Sequence, residues 1–347
     1  MQDILKLKEV LETPQNIVIT THQKPDADAL GSSLGIYNYL IKTGHKVTVI
    51  TPTDYPKFLN WMKGNDQVIV YNENGNEEKS KKLVAEADLI FCLDFSNLKR
   101  INELGDAVGA SKAHKVLIDH HRDPEDFAEY VYHDVDSAST AQLIFKLIKL
   151  FGDKEQVDSD TADCLYAGIM TDTGSFKHPN TTQEVHEIVA ELISLGANNS
   201  EVSRLIYDTN SLDRLKFLGF ALSERLKVFE KEHAAYFAIS MKDLEKFNSK
   251  NGDTEGLVNY ALSIDGITMA ALFTETEDGT KLSLRSIGDF EVNSLAGEYF
   301  KGGGHKNAAG GKVEKSLEET VALFEKIIKE YSTQLQNREK IEVYEQL

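Results

Sequence analysis

Short hydrophobic runs alternate with helical segments over the first part of the chain. Five runs rich in Val, Ile and Leu lie before residue 135, and each has the length of a short strand. They are residues 17–20, 47–50, 68–70, 89–93 and 116–118. Strands buried on both faces are continuously apolar, so runs that alternate with helices predict a parallel sheet covered by helices.

Apolar residues at helical spacing identify the helices of this first region. Leu30, Leu34, Tyr37 and Ile41 fall on one face of a helix that Gly44 ends, which completes a βαβ unit. Three later stripes extend the same domain: Ala141, Ile144, Leu147, Ile148 and Phe151; Ala162, Leu165 and Ile169; and Val185, Ile188, Val189, Leu192 and Ile193.

The pattern changes after residue 196. A helical stripe of Leu215, Leu218, Leu222 and Leu226 predicts a connector over residues 197–231. Strand-like runs follow at 235–239, 269–274 and 281–287, with helices near 292–299 and 316–331. We therefore predict an α/β protein with a parallel-sheet domain at 1–196, a smaller α/β domain at 232–335 and a tail at 336–347.

Composition agrees with two soluble domains. A chain of 347 residues suits two domains, and 41% hydrophobic with 27% charged residues is ordinary for globular proteins. Ile4, Leu5, Leu7, Val10 and Leu11 predict a short amphipathic helix rather than a signal peptide. No stretch reaches the roughly 20 apolar residues that span a bilayer. We expect a cytoplasmic protein without membrane contact.

Charge and cysteine content exclude two further classes. A net charge of -18 argues against binding to long duplex DNA, which needs extended basic surface, but it permits a small anionic substrate. Cys92 and Cys164 lie in apolar surroundings, so they predict core residues and neither a disulfide framework nor a thiolate metal site.

Acidic and histidine side chains follow the predicted strands where those strands end. They are His22, Asp26, Asp28, Asp94, Asp119, His120 and His121, with Asp172 as a fourth contribution. Strand carboxyl ends in open α/β sheets form the usual ligand crevice. Oxygen and nitrogen ligands without thiolates suit Mn²⁺ or Mg²⁺, and Zn²⁺ less exclusively, so the pattern predicts a metal-dependent hydrolase.

Each of these residues also has a simpler interpretation. Asp26 and Asp28 are favoured as helix caps, while Asp94 and Asp172 suit turns. His120 and His121 could be ordinary, partly buried histidines, and the combination of all the residues is what favours a site. We interpret the other isolated histidines as surface or core residues: His45, His114, His133, His186 and His233.

The combined motifs resemble the DHH phosphoesterase family over almost the whole chain. The matching elements are His22-x-x-x-Asp26-x-Asp28, Asp94, Asp119-His120-His121, Asp172-Thr-Gly and Gly302-Gly-Gly-His305. The glycine cluster is similar to the DHHA1 type of second domain. The two-domain length resembles the nanoRNase A subgroup, which comprises bifunctional oligoribonucleases and 3'-phosphoadenosine 5'-phosphate phosphatases.

This resemblance implies two divalent ions, most typically Mn²⁺, although Mg²⁺ and other ions remain open. One ion would be held by His22, Asp26 and Asp94, and the other by Asp28, Asp94, His120 and Asp172. Asp119 would orient a histidine ligand, and His121 would contact the phosphate or assist the leaving group. Asp94, Asp119, His120 and His121 are thus the expected catalytic residues.

The second domain is expected to bind substrate. Gly303 and Gly304 let the backbone approach a phosphate, and His305 can donate to it. Arg285, next to Ser286, offers a fork-like contact with a terminal phosphate. A flexible turn and a solvated strand arginine are the alternatives, and the resemblance favours binding.

The expected reactions are hydrolysis of short oligoribonucleotides to mononucleotides and of 3'-phosphoadenosine 5'-phosphate to AMP. Partners would be short single-stranded oligonucleotides and small nucleotides, and the resemblance implies a homodimer. A phosphodiesterase for cyclic di-AMP or linear dinucleotides would use the same motifs. An inorganic pyrophosphatase and a non-catalytic nucleotide sensor are further alternatives, and the compact length disfavours an exonuclease of long DNA.

Overall fold

The protein is described here by a computed structural model covering residues 4–250 and 252–336. It divides into two compact units, Met1–Thr209 and Asn210–Leu347. The division falls inside the connector predicted for residues 197–231. Of the tail predicted at 336–347, all but Gln336 lies outside the described residues.

The first unit contains a six-stranded parallel sheet. Its strands are β1 (Asn16–Thr21), β2 (Lys46–Thr51), β3 (Ile69–Val70), β4 (Leu89–Leu93), β5 (His114–Asp119) and β6 (Tyr130–His133). The spatial order is β3-β2-β1-β4-β5-β6, with every neighbouring pair parallel. The predicted parallel sheet is confirmed. β6 was not predicted from the sequence, because a strand of four residues with Val131 as its one aliphatic side chain forms no apolar run.

Helices cover both faces of this sheet. They are α1 (Ile4–Val10), α2 (Ala27–Lys42), α3 (Glu77–Ala85), α4 (Glu103–Ala110), α5 (Thr140–Leu150), α6 (Ser159–Asp172), α7 (Gln183–Ser194) and α8 (Asn199–Tyr207). On β4, Leu89, Phe91 and Leu93 pack into one core, whereas Ile90 and Cys92 pack into the other. Burial on both faces therefore explains the continuous apolar runs.

Helix α2 lies against α6 with small residues at the contact. A Cβ added to Gly31 would lie 2.4 Å from the Cys164 carbonyl oxygen, so only glycine permits this backbone approach. Leu30 and Leu34 are fully buried on the predicted face. After the helix, Gly44 adopts φ 89°, the left-handed conformation expected where a helix ends.

The second unit contains a mixed six-stranded sheet. Its strands are β7 (Leu226–Phe229), β8 (Ala234–Ile239), β9 (Met269–Thr276), β10 (Gly279–Ser286), β11 (Gly303–His305) and β12 (Ala308–Val313), in the order β11-β12-β10-β9-β8-β7. Among these described strands, β8 and β9 pair in parallel and the other neighbouring pairs are antiparallel. The predicted helical stripe included Leu226, but this residue begins strand β7.

The described residues of the second unit form six α-helices. They are α9 (Leu212–Phe220), α10 (Met241–Lys246), α11 (Leu257–Leu262), α12 (Val292–Phe300), α13 (Leu317–Glu330) and α14 (Ser332–Gln336). Phe273, Phe300 and Phe324 are fully buried and form the centre of one core. The predicted second α/β region is confirmed.

Both cysteines are core residues, as predicted. Cys92 and Cys164 are buried and free, and burial raises the pKa of the Cys92 thiol to about 12. Among the described helices, none is both long enough and apolar enough to span a membrane.

Candidate metal centre

The acidic and histidine side chains gather where the strand order reverses. Strands β1 and β4 are neighbours in the sheet, and the chain winds outward from them in opposite directions. This reversal leaves a crevice at the strand carboxyl ends, the usual ligand position in such sheets. His22 follows β1, Asp94 follows β4, and Asp119 ends β5. The fold therefore brings three separate sequence motifs together.

Asp94 lies at the centre of this group. It has φ 64°, a left-handed conformation that is uncommon outside glycine and that aspartate tolerates better than most residues. Its backbone N–H donates to the Ile118 carbonyl oxygen at 3.0 Å. The side chain is only 2% exposed. The left-handed turn after β4 thus carries a buried carboxylate that contacts His22 and His120.

The first donor group consists of His22, Asp26 and Asp94. His22 Nε2 lies 3.4 Å from Asp94 Oδ2 and 3.8 Å from Asp26 Oδ2. His22 Nδ1 contacts the Gln23 carbonyl oxygen at 2.8 Å, which leaves Nε2 as the candidate ligand atom. Asp26 Oδ1 accepts from the N–H groups of Asp28 and Ala29. Asp26 is therefore both the cap of α2 and a candidate ligand through its other oxygen.

The second donor group consists of Asp28, Asp94, His120 and Asp172. His120 Nε2 lies 3.5 Å from Asp94 Oδ1, 3.4 Å from Asp172 Oδ2 and 4.0 Å from Asp28 Oδ2. Its Nδ1 lies 3.2 Å from the Ser137 carbonyl oxygen. Asp172 ends α6, where a carboxylate opposes the helix dipole, so local helix stability does not explain it.

The N-terminus of α5 holds two of these carboxylates. Thr140 N–H donates to Asp28 Oδ2 at 2.7 Å, and Ala141 N–H donates to Asp28 Oδ1 at 2.9 Å. The Thr140 hydroxyl donates to Asp94 Oδ1 at 2.8 Å. Sequence reasoning missed Thr140. The spacing Ser139-x-x-Gln142 signals a helix start, but no local pattern shows what that start faces.

Buried charge dominates the electrostatics of the cluster. Burial and, next, the negative charge of Asp94 raise the pKa of Asp28. Burial and, next, the negative charge of Asp28 raise the pKa of Asp172. Burial acts against ionisation of Asp94, but hydrogen bonds with His120 and His22 outweigh it and hold its pKa well below the usual range.

The same carboxylates shift the pKa values of the two histidines His22 and His120. Although burial lowers the pKa of each, contact with Asp94 raises the pKa of His22 to about 9 and that of His120 to about 11. The carboxylates thus attract compensating positive charge, and a cation can take the place of these protons.

The donor set fits divalent cations. The ligand atoms of His22, Asp26 and Asp94 lie within 4.8 Å of one another, and so do those of Asp28, Asp94 and His120. All are oxygen or nitrogen atoms, which suits Mn²⁺, Mg²⁺ and similar ions. Asp94 belongs to both groups. Its Oδ2 atom faces His22 in the first group, and its Oδ1 atom faces His120 in the second.

Asp119 and His121 form a pair beside the cluster. His121 Nδ1 lies 2.8 Å from Asp119 Oδ1, whereas Asp119 Oδ2 is buried without a partner in the described part of the chain. The hydrogen bond of Asp119 goes to His121 rather than to His120, and the expectation that Asp119 orients a histidine ligand stays a prediction. His133, interpreted as an isolated histidine, places Nε2 2.5 Å from the His121 carbonyl oxygen.

The glycine cluster of the second unit has a structural cause. A Cβ at Gly302 would lie 2.1 Å from the Gly310 carbonyl oxygen, and one at Gly304 would lie 2.5 Å from that of Ala308. Both glycines therefore permit the pairing of β11 with β12. Gly303 has open space where a side chain would begin, so its backbone remains approachable for a ligand.

The other predicted substrate residues lie on strands of the same sheet. Arg285 on β10 pairs with Ala308 on β12, which also pairs with His305 on β11. The Ser286 hydroxyl donates to the Phe290 carbonyl oxygen at 2.6 Å and accepts from Asn307 at 2.9 Å. Ser286 thus stabilises the turn after β10, and its hydrogen bonds are used within the unit.

Comparison with known families agrees with this geometry. Residues 16–169 match the N-terminal domain of the DHH family, and residues 233–332 match the DHHA1 domain. The chain belongs to the DHH family of phosphoesterases, whose members are metal-dependent hydrolases.

Several individual proteins are similar over nearly the full length. The bifunctional oligoribonuclease and PAP phosphatase NrnA of Thermus thermophilus is 30% identical, with 89% of this chain and 87% of that protein covered. The NrnA of Bacillus subtilis is 29% identical, with 86% and 89% covered. The crystal structure of an exopolyphosphatase-related protein from Bacteroides fragilis is 39% identical, with a TM-score of 0.91 and 96% and 97% covered.

Proposed function

We propose that the protein hydrolyses short oligoribonucleotides to mononucleotides and 3'-phosphoadenosine 5'-phosphate to AMP. The observation that carries this proposal is the buried carboxylate of Asp94, which belongs both to the candidate group with His22 and Asp26 and to the candidate group with Asp28 and His120. The names of the Thermus and Bacillus relatives supply the substrate class. The homodimer and the cytoplasmic location expected from the sequence stay predictions.

The proposed ligands fall into two sets. His22, Asp26 and Asp94 hold one divalent ion, and Asp28, Asp94, His120 and Asp172 hold the other. Mn²⁺ is the proposed ion for both. When bound, such ions stabilise charge on the phosphate oxygens and acidify water. The backbone N–H groups of Thr140 and Ala141 keep Asp28 in place for this task.

Asp119 and His121 act together to protonate the leaving group. Asp119 Oδ1 accepts from His121 Nδ1, which fixes the ring and leaves Nε2 for the substrate. With both ring nitrogens protonated, His121 donates the Nε2 proton to the leaving oxygen as the bond between that oxygen and phosphorus breaks, and the ring becomes neutral with its remaining proton on Nδ1. In the second unit, Arg285, His305 and the backbone at Gly303 and Gly304 bind a phosphate group that is not hydrolysed.

A substrate panel with Mn²⁺ tests the proposed function. We expect turnover of a dinucleotide and of 3'-phosphoadenosine 5'-phosphate, with much slower turnover of cyclic di-AMP and pyrophosphate. Product analysis by chromatography measures each rate. Preferred turnover of cyclic di-AMP or pyrophosphate would reassign the substrate. No turnover of any compound despite bound metal would favour the alternative of a non-catalytic nucleotide sensor.

The substitution Arg285→Ala tests the phosphate contact. A hydrogen bond to a charged group contributes about 1.5–3 kcal/mol, so KM is expected to rise roughly tenfold to hundredfold. Metal content should not change, because the proposed ligands lie in the first unit. Steady-state kinetics and metal analysis provide the measurements.

Lys281→Ala is the matched control for that substitution. Lys281 is a cation on the same strand, four residues earlier. Its replacement should leave KM near the wild-type value. Equal KM changes in the two variants would mean that general charge, rather than Arg285, attracts the substrate.

A further inference from the structure

Residues 137–141 contact three of the proposed ligands. The Ser137 carbonyl oxygen faces His120 Nδ1. The Thr140 hydroxyl donates to Asp94, and the Thr140 and Ala141 N–H groups donate to Asp28. This short segment therefore sets the positions of ligands that come from three different elements.

Gln142 restrains the conformation of residues 137–141 through hydrogen bonds, without contacting a proposed metal ligand itself. Its Oε1 accepts from the Ala138 N–H at 2.8 Å and from the Ser137 hydroxyl at 3.1 Å. The side chain is almost completely buried, at 1% exposure. Because an unpaired buried amide is costly, these bonds restrain the backbone on either side of the Ser137 carbonyl.

The other end of the Gln142 amide is fixed as well. Its Nε2 donates to Glu184 Oε2 at 3.0 Å, and Lys146 donates to the same carboxylate from the solvent side. An amide turned by 180° would point its NH₂ group at the Ala138 N–H and its oxygen at the Glu184 carboxylate. The contacts therefore permit one orientation of the amide.

The Ser137 carbonyl determines which nitrogen of His120 faces the carboxylates. A carbonyl oxygen only accepts, so His120 Nδ1 carries a proton and Nε2 points to Asp94 and Asp172. A shift of this carbonyl would release the ring. The same shift would move the first turn of α5 away from Asp28.

We propose that Gln142 is a positioning residue that preorganises His120, Asp28 and Asp94 through residues 137–141. The proposal rests on the proposed function, because it assigns Gln142 to the same metal centre. Glu184 is its anchor, and the pair links the metal centre to the surface of α7.

The test is Mn²⁺ affinity of the intact chain, measured by calorimetry without substrate. Outer partners of metal ligands typically contribute 10–100-fold to affinity, so Gln142→Leu is expected to weaken binding about 10–100-fold. Saturating Mn²⁺ should restore much of its turnover, since every ligand is still present. An unchanged Kd in Gln142→Leu would overturn the proposal.

A charge exchange provides the rescue experiment. Gln142→Glu keeps an acceptor for Ala138 but faces the Glu184 carboxylate, so Mn²⁺ binding should weaken. Adding Glu184→Gln restores a donor at that contact and should recover most of the affinity. Failure of the double variant to recover it would contradict the proposed Glu184 anchor.

Leu147→Ala separates positioning from loss of stability. Leu147 is fully buried on α5, so its truncation destabilises the helix packing without altering residues 137–142. Its Kd for Mn²⁺ should stay near wild type. An equal loss of affinity in Leu147→Ala would overturn the positioning role, whereas failure of the wild-type chain to bind Mn²⁺ would refute the proposed function itself.

Discussion

Asp94→Asn is expected to lower kcat by about 10³-fold or more and to reduce the metal content of the protein. Loss of a residue that only hydrogen-bonds to a metal ligand typically lowers metal affinity or activity about 10–100-fold. Loss of a carboxylate that is itself a proposed ligand of two cations should therefore lower them further. Asparagine has the same shape as aspartate and also tolerates the left-handed backbone at this position. The substitution therefore removes charge without adding the backbone strain that alanine would bring. Elemental analysis after dialysis and single-turnover kinetics measure the two effects.

Asp123→Asn is the control for this substitution. Asp123 is exposed and has φ 58°, so it shares the charge and the left-handed conformation of Asp94. We expect turnover and metal content near wild type. If Asp94→Asn retains both, the shared-ligand proposal is wrong.

Gly168→Ala is expected to weaken Mn²⁺ binding about 10–100-fold, although Gly168 has no side chain to bind anything. A Cβ at this position would lie 2.6 Å from Asp28 Oδ1 and 2.7 Å from the Ala141 Cβ. The added methyl group must displace the Asp28 carboxylate or the start of α5. Overpacking of this kind costs about 1–3 kcal/mol of stability, which offsets the gain in helix propensity. Calorimetry with Mn²⁺ and urea unfolding test both effects.

Gly219→Ala is the matched control on another helix. A Cβ at Gly219 meets no described atom within 4 Å, so the higher helix propensity of alanine should stabilise α9 by up to about 1 kcal/mol. Mn²⁺ affinity should be unaffected. Wild-type affinity in Gly168→Ala would mean that Asp28 can move without harm to the metal centre.

The sequence predicted the sheet and the ligand candidates because both depend on local patterns. The fully buried strand β4 is an unbroken apolar run, and Asp94 follows it directly. Parallel strands present their carboxyl ends at one edge of the sheet. The sequence alone therefore predicts that the residues after β1, β4 and β5 lie close together. The division of the candidate ligands into two sets came from the resemblance to the DHH family.

The supporting contacts could not be predicted, because they join residues far apart in the chain. Thr140 and Asp28 are separated by 112 residues, and nothing near either one reveals their hydrogen bond. Leu226 shows a different failure. Its spacing from Leu222 fits a helix, but pairing with Phe237 places it in a strand. Tertiary contacts, not local propensity, decide such positions.

The order of the ligands along the chain affects when the metal centre can form during synthesis. His22 is the first proposed ligand to leave the ribosome and Asp172, at the end of α6, is the last. Nascent chains generally fold from the N-terminus, so most of the parallel sheet can pair before the second ligand set is complete. The proposed first ligand set is complete once Asp94 has been synthesised, whereas the proposed second set is complete only after α6 has packed against α2.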